Sequence, residues 1–436
     1  VRPARLLPLA LLLSVLSVVP ARAASAFSFR RVPLGAVGTP VERTLAVPPG
    51  ALLLGVTWAA GTADVSVRRG LGAWEALEND PGEAGSRPGT EPFWIGSSVS
   101  VVSVRIVPRP ASRASGASVD FAGAGSSSSA PAASRTLPRL GAVVTRPGWG
   151  ADERWRSGAV ERTTPTAVVV HHTVTANDYT QAEAASYVRA VYSYHTRSRG
   201  WSDIGYNLLV DRFGTVYEGR YGDFARGVVG AHTAGFNEGT LGVSLLGNYD
   251  VTETPAPMLA AVARVGAWAS ERWRFDPRGT VTLTSRGSDR YPRGSRVTVS
   301  RMPGHRDLGI TACPGRYAYG HLPAIRAEAW KLLRAVFGKA AVHGAPVHSP
   351  DPVTVSASLD HAAWWAARIT SQAGDLLAEV RGHGTRAVVS WDGRLPSGLP
   401  ALPGTTYAYT LTADDHVHGA SDPRTGTFDG GLPRLV

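Results

Sequence analysis

Residues 167–175 read AVVVHHTVT, three valines running into a pair of histidines. A β-branched apolar run of this kind predicts a strand buried on both faces. Successive side chains on a strand point to opposite faces, so His171 and His172 are expected to serve different surroundings. Three later stretches also read as strands: 206–212 (YNLLVDR), 215–220 (TVYEGR) and 240–249 (TLGVSLLGNY). The first and last of the four are apolar enough to be central. Residues 180–196 read as a helix with Tyr187, Val191 and Tyr194 on one face, and further helices are predicted near 257–273 and 321–337. Strands alternating with helices imply an α/β domain around a mostly buried sheet, placed at 137–342.

On either side of this region the helical spacing disappears. Residues 24–108 alternate short apolar and polar runs, such as DVSVRR and SSVSVVSVRIV, and predict a small N-terminal β domain. Residues 109–136 are rich in Ser, Ala, Gly and Pro and read as a linker. Strand-like runs at short intervals return over 343–436, as in a C-terminal β-sandwich. The expected fold is therefore multidomain, with an α/β domain between two β domains. At 436 residues the chain is too long for one compact core, in keeping with that division.

Arg2 and Arg5, the apolar run 6–19 and the small-residue site Ala21, Arg22, Ala23 form the pattern of an export signal over 1–23. The run is short for a membrane span and contains Pro8, and no later segment approaches spanning length, so no stable membrane span is expected after signal removal. The implied location is extracellular. The net charge is +11, and it is uneven: 137–342 carry 26 Lys and Arg against 17 Asp and Glu, whereas the last 94 residues carry 6 against 9. A basic surface suits an anionic polymer. No nucleic-acid-binding motif is present, so an anionic cell-wall polymer fits better than nucleic acid.

An exported chain with one cysteine can form no internal disulfide, which makes Cys313 informative. It lies in MPGHRDLGITACPG (302–315), eight residues after His305. One histidine from the 167–175 strand, with His305 and Cys313 from one loop, is a mixed nitrogen and sulfur donor set suited to Zn²⁺. Three protein ligands leave a fourth position open, as in catalytic rather than structural zinc sites.

Five motifs in order carry a resemblance to a known family: RPGWGAD (146–152), VVVHHT (168–173), GWSDIGYNLLVDRFGTVYEGR (200–220), GAHTAGFNEGTLGVSLLGNY (230–249) and GHRDLGITACPG (304–315). Over residues 145–337 the chain resembles the peptidoglycan recognition proteins, part of the wider type 2 N-acetylmuramoyl-L-alanine amidases. The resemblance implies a central mixed sheet, a zinc-containing groove and peptidoglycan as substrate. It makes His171, the first histidine of the pair, a zinc ligand with His305 and Cys313. It matches Tyr206 to the family's catalytic tyrosine and Thr311 to a catalytic-site position. His232, Asn237 and Arg306 become candidates for substrate contact, and His172 is read as structural. The run 387–413 (AVVSWDGRLPSGLPALPGTTYAYTLTA) resembles the immunoglobulin-like domain of the flagellar hook-capping protein FlgD.

The expected function is an exported zinc amidase that hydrolyses the amide between the N-acetylmuramic acid lactyl group and L-Ala. A non-catalytic peptidoglycan-binding protein is the alternative, against which Cys313 counts. A cysteine-nucleophile peptidase would leave His171 unexplained.

Overall fold

The structure is a computed structural model that describes residues 27–429 apart from 81–85, 97, 111, 113, 126–132, 138, 334, 345–351, 402–403, 415–419 and 422. The expected export signal at 1–23 lies outside the described residues. No helix among them is long and apolar enough to cross a membrane.

The central region is built on a six-stranded mixed sheet. In spatial order its strands are Ser134–Leu137, Gly141–Val144, Val216–Glu218, Leu208–Val210, Thr240–Leu245 and Ala167–His172. The last two pair in parallel, with His171 opposite Ser244. Val168 and Val170 face one side, in a core shared with Met258, Val262, Leu322 and Ile325 of the helices Ala256–Trp273 and Arg316–Leu333. The helix Gln181–Ser193 covers the opposite face, setting Tyr187, Val188 and Val191 against Leu209, Tyr217 and Leu246. Each such valine or leucine contributes roughly 1.5–3 kcal/mol relative to exposure. That helix starts on a capping box, in which the Thr180 N–H donates to the Glu183 carboxylate at 2.8 Å. It runs on into a π-helical turn, Tyr194–Ser198.

One expectation about this sheet needs correction. Ala167–His172 is buried at every residue, but it ends the ladder rather than lying inside it. Burial on both faces does not require strand neighbours on both edges. Its open edge is taken by irregular backbone: Val168 N–H donates to the Arg301 carbonyl at 2.8 Å and Val170 N–H to the Pro303 carbonyl at 2.9 Å. These bonds bring the chain to His305 beside His171.

The N-terminal region is a pair of packed sheets. One contains Phe29–Val37, Ala114–Gly123, Ala51–Thr57, Gly89–Thr90, Asn79–Asp80 and Phe93–Trp94; the other contains Val41–Ala46, Val101–Pro108, Ala63–Arg69 and Glu75–Leu77. Ala114–Gly123 corrects the linker expected at 109–136. It pairs with strands on both sides, and Val119 and Phe121 enter the core with Leu54, Val56 and Val104. Its small residues resemble a linker in composition, yet alternate correctly for a central strand.

The C-terminal strands Ala341–His343, Val353–Thr370, Leu376–Trp391, Thr406–Asp414 and Arg424–Asp429 form one hydrogen-bonded sheet, not two separate ones. The long strand Val353–Thr370 explains this. It pairs with Leu376–Trp391 on one edge, while its other edge pairs first with Ala341–His343 and then, past an irregularity between Ser358 and Ala363, with Thr406–Asp414. The sheet closes over its own core of Val355, Ile369, Val389, Trp391 and Leu411.

Candidate metal centre and groove

His171 and His172 diverge as alternation requires. The His172 Nδ1 accepts the Tyr249 N–H at 3.2 Å, on the side away from the groove. His171 points the other way, its Nδ1 3.7 Å from the Cys313 Sγ and its ring centroid 4.6 Å from that of His305. One ligand atom from each of His171, His305 and Cys313 lies within 4.8 Å of the others. Ligand atoms on tetrahedral zinc, with bonds of roughly 2.0–2.3 Å, stand about 3.3–3.8 Å apart, so a small contraction completes such a site.

The surroundings fit the same ion. The His171 Nε2 lies 3.1 Å from the His232 Nδ1. With Nδ1 turned to the donor cluster, Nε2 shares a hydrogen bond with His232, and a partner at the second ring nitrogen orients a metal-ligating imidazole. Burial holds His171 well below the usual histidine range, with the neighbouring His305, His232 and His172 adding to the effect, and it lowers His305 as well. The imidazoles are therefore neutral and free to bind a cation. Burial pushes the Cys313 thiol well up, and Glu91 adds to that, so a thiolate here needs a cation beside it.

The loop carrying Cys313 is tightly held. Arg306 does not line the groove, which corrects its assignment to substrate. Its backbone N–H and guanidinium bind the Cys313 carbonyl, the guanidinium also binds the Ala312 carbonyl, and its side chain lies over the Tyr319 ring. Two nearby carbonyls claim the charge that substrate would have needed. Gly315, at φ 86°, approaches Tyr249 so closely that a Cβ would strike its backbone.

Tyr206 is buried beside the metal candidates, its ring 5.4 Å from His171. Burial, with Glu91 and Cys313 nearby, pushes its hydroxyl well above the usual tyrosine range and keeps it a neutral donor. Asn237 lines the groove, but its Oδ1 is committed to the backbone N–H groups of His232 and Thr233, both at 2.8 Å. The Thr311 Oγ1 accepts the Cys313 N–H at 3.0 Å and donates to the Glu78 carboxylate at 2.6 Å.

Several groove residues had no sequence signal. His195 stacks on Trp201 with centroids 4.3 Å apart and lies 5.6 Å from the Tyr206 ring. Glu78, Asp80 and Glu91 come from the N-terminal β region, and Asp289 from the loop after Thr280–Thr284. Among the described residues, four carboxylates and no Lys or Arg line the groove of this basic protein. Desolvation, with Asp80 and Glu78 adding to it, raises Glu91 to about 8. Only the docking of two distant segments could have disclosed this wall.

Residues 161–316 match the family model described as N-acetylmuramoyl-L-alanine amidase. Peptidoglycan-recognition protein SC2 of Drosophila simulans is 36% identical over 148 residues, 34% of this chain and 66% of that protein. Peptidoglycan recognition protein 1 of Bos indicus is 32% identical over 180 residues, 41% of this chain and 81% of that protein. Among solved structures, wild-type Drosophila PGRP-LB aligns at 26% identity with a TM-score of 0.32, covering 41% of this chain and 90% of that one. The chain belongs to the peptidoglycan recognition protein family of type 2 amidases. It spans about two thirds of the fly SC2 protein.

Proposed function

We propose that this chain is an exported, zinc-dependent N-acetylmuramoyl-L-alanine amidase that cleaves the bond between the lactyl group of N-acetylmuramic acid and L-Ala in peptidoglycan. The observation that carries this reading is the convergence of His171, His305 and Cys313 on one point, with Tyr206 beside it. Those three side chains would hold the ion. Zinc held there would supply a Lewis acid for the scissile carbonyl and the attacking water.

The chain's own groups do the rest. Hydrolysis adds water across the C–N bond, leaving a lactyl carboxylate and a free L-Ala amine. The carbonyl oxygen gains negative charge as water attacks, and the neutral Tyr206 hydroxyl donates a hydrogen bond to it. His232 holds the ring orientation of His171. Domain boundaries follow the sequence reading except that 114–123 belongs to the N-terminal sheets and 134–136 to the central one, and the basic surface is a contact for anionic wall polymers. A protein that only binds peptidoglycan has no need of the thiol at 313.

Digestion of purified peptidoglycan, followed by mass spectrometry, tests the proposal. Stem peptides with a new L-Ala amino terminus are expected, and a chelator should stop their release. Reducing sugar ends without free stem peptides would overturn the reading. So would undiminished cleavage by protein shown to be free of zinc.

A further inference from the structure

The N-terminal β region is joined to the family domain by buried, fully partnered polar groups. Asp120 is completely buried and accepts hydrogen bonds from Arg31 at 2.7 Å, Thr57 at 2.9 Å and Ser198 of the π-helical turn at 2.7 Å. Arg199, also fully buried, pairs with Asp80 at 2.7 Å and donates to the carbonyls of Arg87, Thr90 and Asp80. Leu53 and Ala122 share an apolar cluster with Trp149 and Tyr187, and Trp94 stacks on Tyr187 with centroids 4.5 Å apart. Separating these surfaces would strand buried charges, which is strongly unfavourable. This region is not a loosely tethered accessory.

That docking lays one segment along the groove. Glu78 sits where the chain crosses from strand Glu75–Leu77 of one sheet to Asn79–Asp80 of the other. Its backbone is fixed, the carbonyl accepting the Glu91 N–H at 2.8 Å. From there the carboxylate accepts the Thr311 hydroxyl at 2.6 Å and the Ala312 N–H at 2.9 Å. Thr311 in turn accepts the Cys313 N–H, so one relay runs from the N-terminal region to the cysteine of the metal centre. The single proton of the Thr311 hydroxyl is spent on Glu78 and cannot also serve substrate.

We infer that the N-terminal β region is a working wall of the catalytic groove and that Glu78 is a positioning residue, holding the Thr311–Ala312–Cys313 loop in its ligand geometry. The inference rests on the zinc amidase reading of the site. It assigns Thr311 to loop geometry rather than to direct contact with the reacting atoms.

The test measures zinc affinity in the full chain by competition with a chromogenic chelator, beside kcat and KM on peptidoglycan. Glu78 is exposed, so its truncation opens no buried cavity, and unfolding temperatures verify that each variant is folded. Glu78→Ala is expected to weaken zinc binding about tenfold and lower kcat similarly with KM little changed, as loss of a partner behind a metal ligand does. Glu78→Gln, which keeps an acceptor, should recover most of both. Thr311→Val should also weaken zinc binding, and the double variant should lose less than the sum of the two single losses. Wild-type zinc affinity in folded Glu78→Ala, or additive losses in the double variant, would overturn the inference. The metal readout does not depend on cleavage, so an inactive wild type would sink the amidase reading while leaving this test standing.

Discussion

The two β regions that flank the family domain attach to it in opposite ways. The N-terminal one docks through the buried groups Asp120 and Arg199 and places three carboxylates in the groove. The C-terminal one keeps its own core and meets the end of helix Arg316–Leu333 through a short backbone exchange. There Gly338 N–H donates to the Ser358 carbonyl at 2.9 Å, Asp360 N–H to the Val336 carbonyl at 3.1 Å, and Val336 N–H to the Asp360 carboxylate at 2.8 Å. None of its described residues lines the groove. One junction buries charge, whereas the other is apolar, with Ala335 and Phe337 entering the C-terminal core beside Leu359; only the first brings carboxylates to the groove.

The largest effect belongs to the site that both regions surround. Cys313→Ser replaces a polarisable thiolate with a hydroxyl that stays protonated, removing the only sulfur donor. Peptide release should fall more than about 10³-fold, beyond what loss of one oxyanion-hole donor costs. Zinc per chain should fall with it, while pull-down on insoluble peptidoglycan persists. Retained cleavage would shift the chemistry away from this centre altogether.

Next in size is the N-terminal junction. Arg199→Met keeps much of the volume but removes the ion pair to Asp80 and the donors to the carbonyls of Arg87, Thr90 and Asp80. Breaking a buried pair from one side costs about 3–5 kcal/mol. The loss should register as a lower denaturant midpoint for the transition that includes the family domain. A separate early transition with the family domain unaffected would show the two to be independent units.

Much of the site was legible because its residues lie in local patterns. The valine run announces a buried strand, strand alternation separates His171 from His172, and the His305–Cys313 spacing places two donors on one loop. What escaped lies in long-range pairing. Irregular backbone at 301–304 takes the open edge of Ala167–His172, and no periodicity encodes that. Residues 109–136 look compositionally like a linker, yet 114–123 is a central strand because its small residues fit between two neighbours. Glu78, Asp80 and Glu91 sit in turn-rich sequence without any motif, and become groove residues through the distant pairings of Arg199, 119 residues from Asp80, and of Asp120, 78 residues from Ser198. Arg306 was misplaced because a loop arginine reads alike whether it faces substrate or its own carbonyls.

An effect of comparable size distinguishes the N-terminal wall by pH. Glu91 has its folded-state value raised to about 8 from an ordinary value of 4.5. Below the ordinary value both folded and unfolded chains hold the proton, and this group's contribution to stability is fully present. Between about 4.5 and 8 the unfolded chain releases the proton and the folded chain keeps it, so that contribution drains away as pH rises and is gone above 8. Glu91→Gln should flatten the decline. Urea midpoints of the chelated protein across that range provide the measurement, and an identical slope in the variant would remove Glu91 as its source.

The C-terminal junction should yield the smallest change. Asp360 is 43% exposed at its side chain and lies 4.0 Å from Arg139, while one oxygen accepts the Val336 N–H. Asp360→Asn keeps an acceptor for that N–H and removes only the charge. Exposed ion pairs contribute about 0–1 kcal/mol, and at this distance the lower part of that range applies. The unfolding temperature should move little, the small shift should vanish in high salt, and kcat on peptidoglycan should be unchanged. A fall in kcat comparable to that of Glu78→Ala would mean that the C-terminal sheet reaches the groove through helix Arg316–Leu333. The contrast between the two junctions would then be one of strength alone.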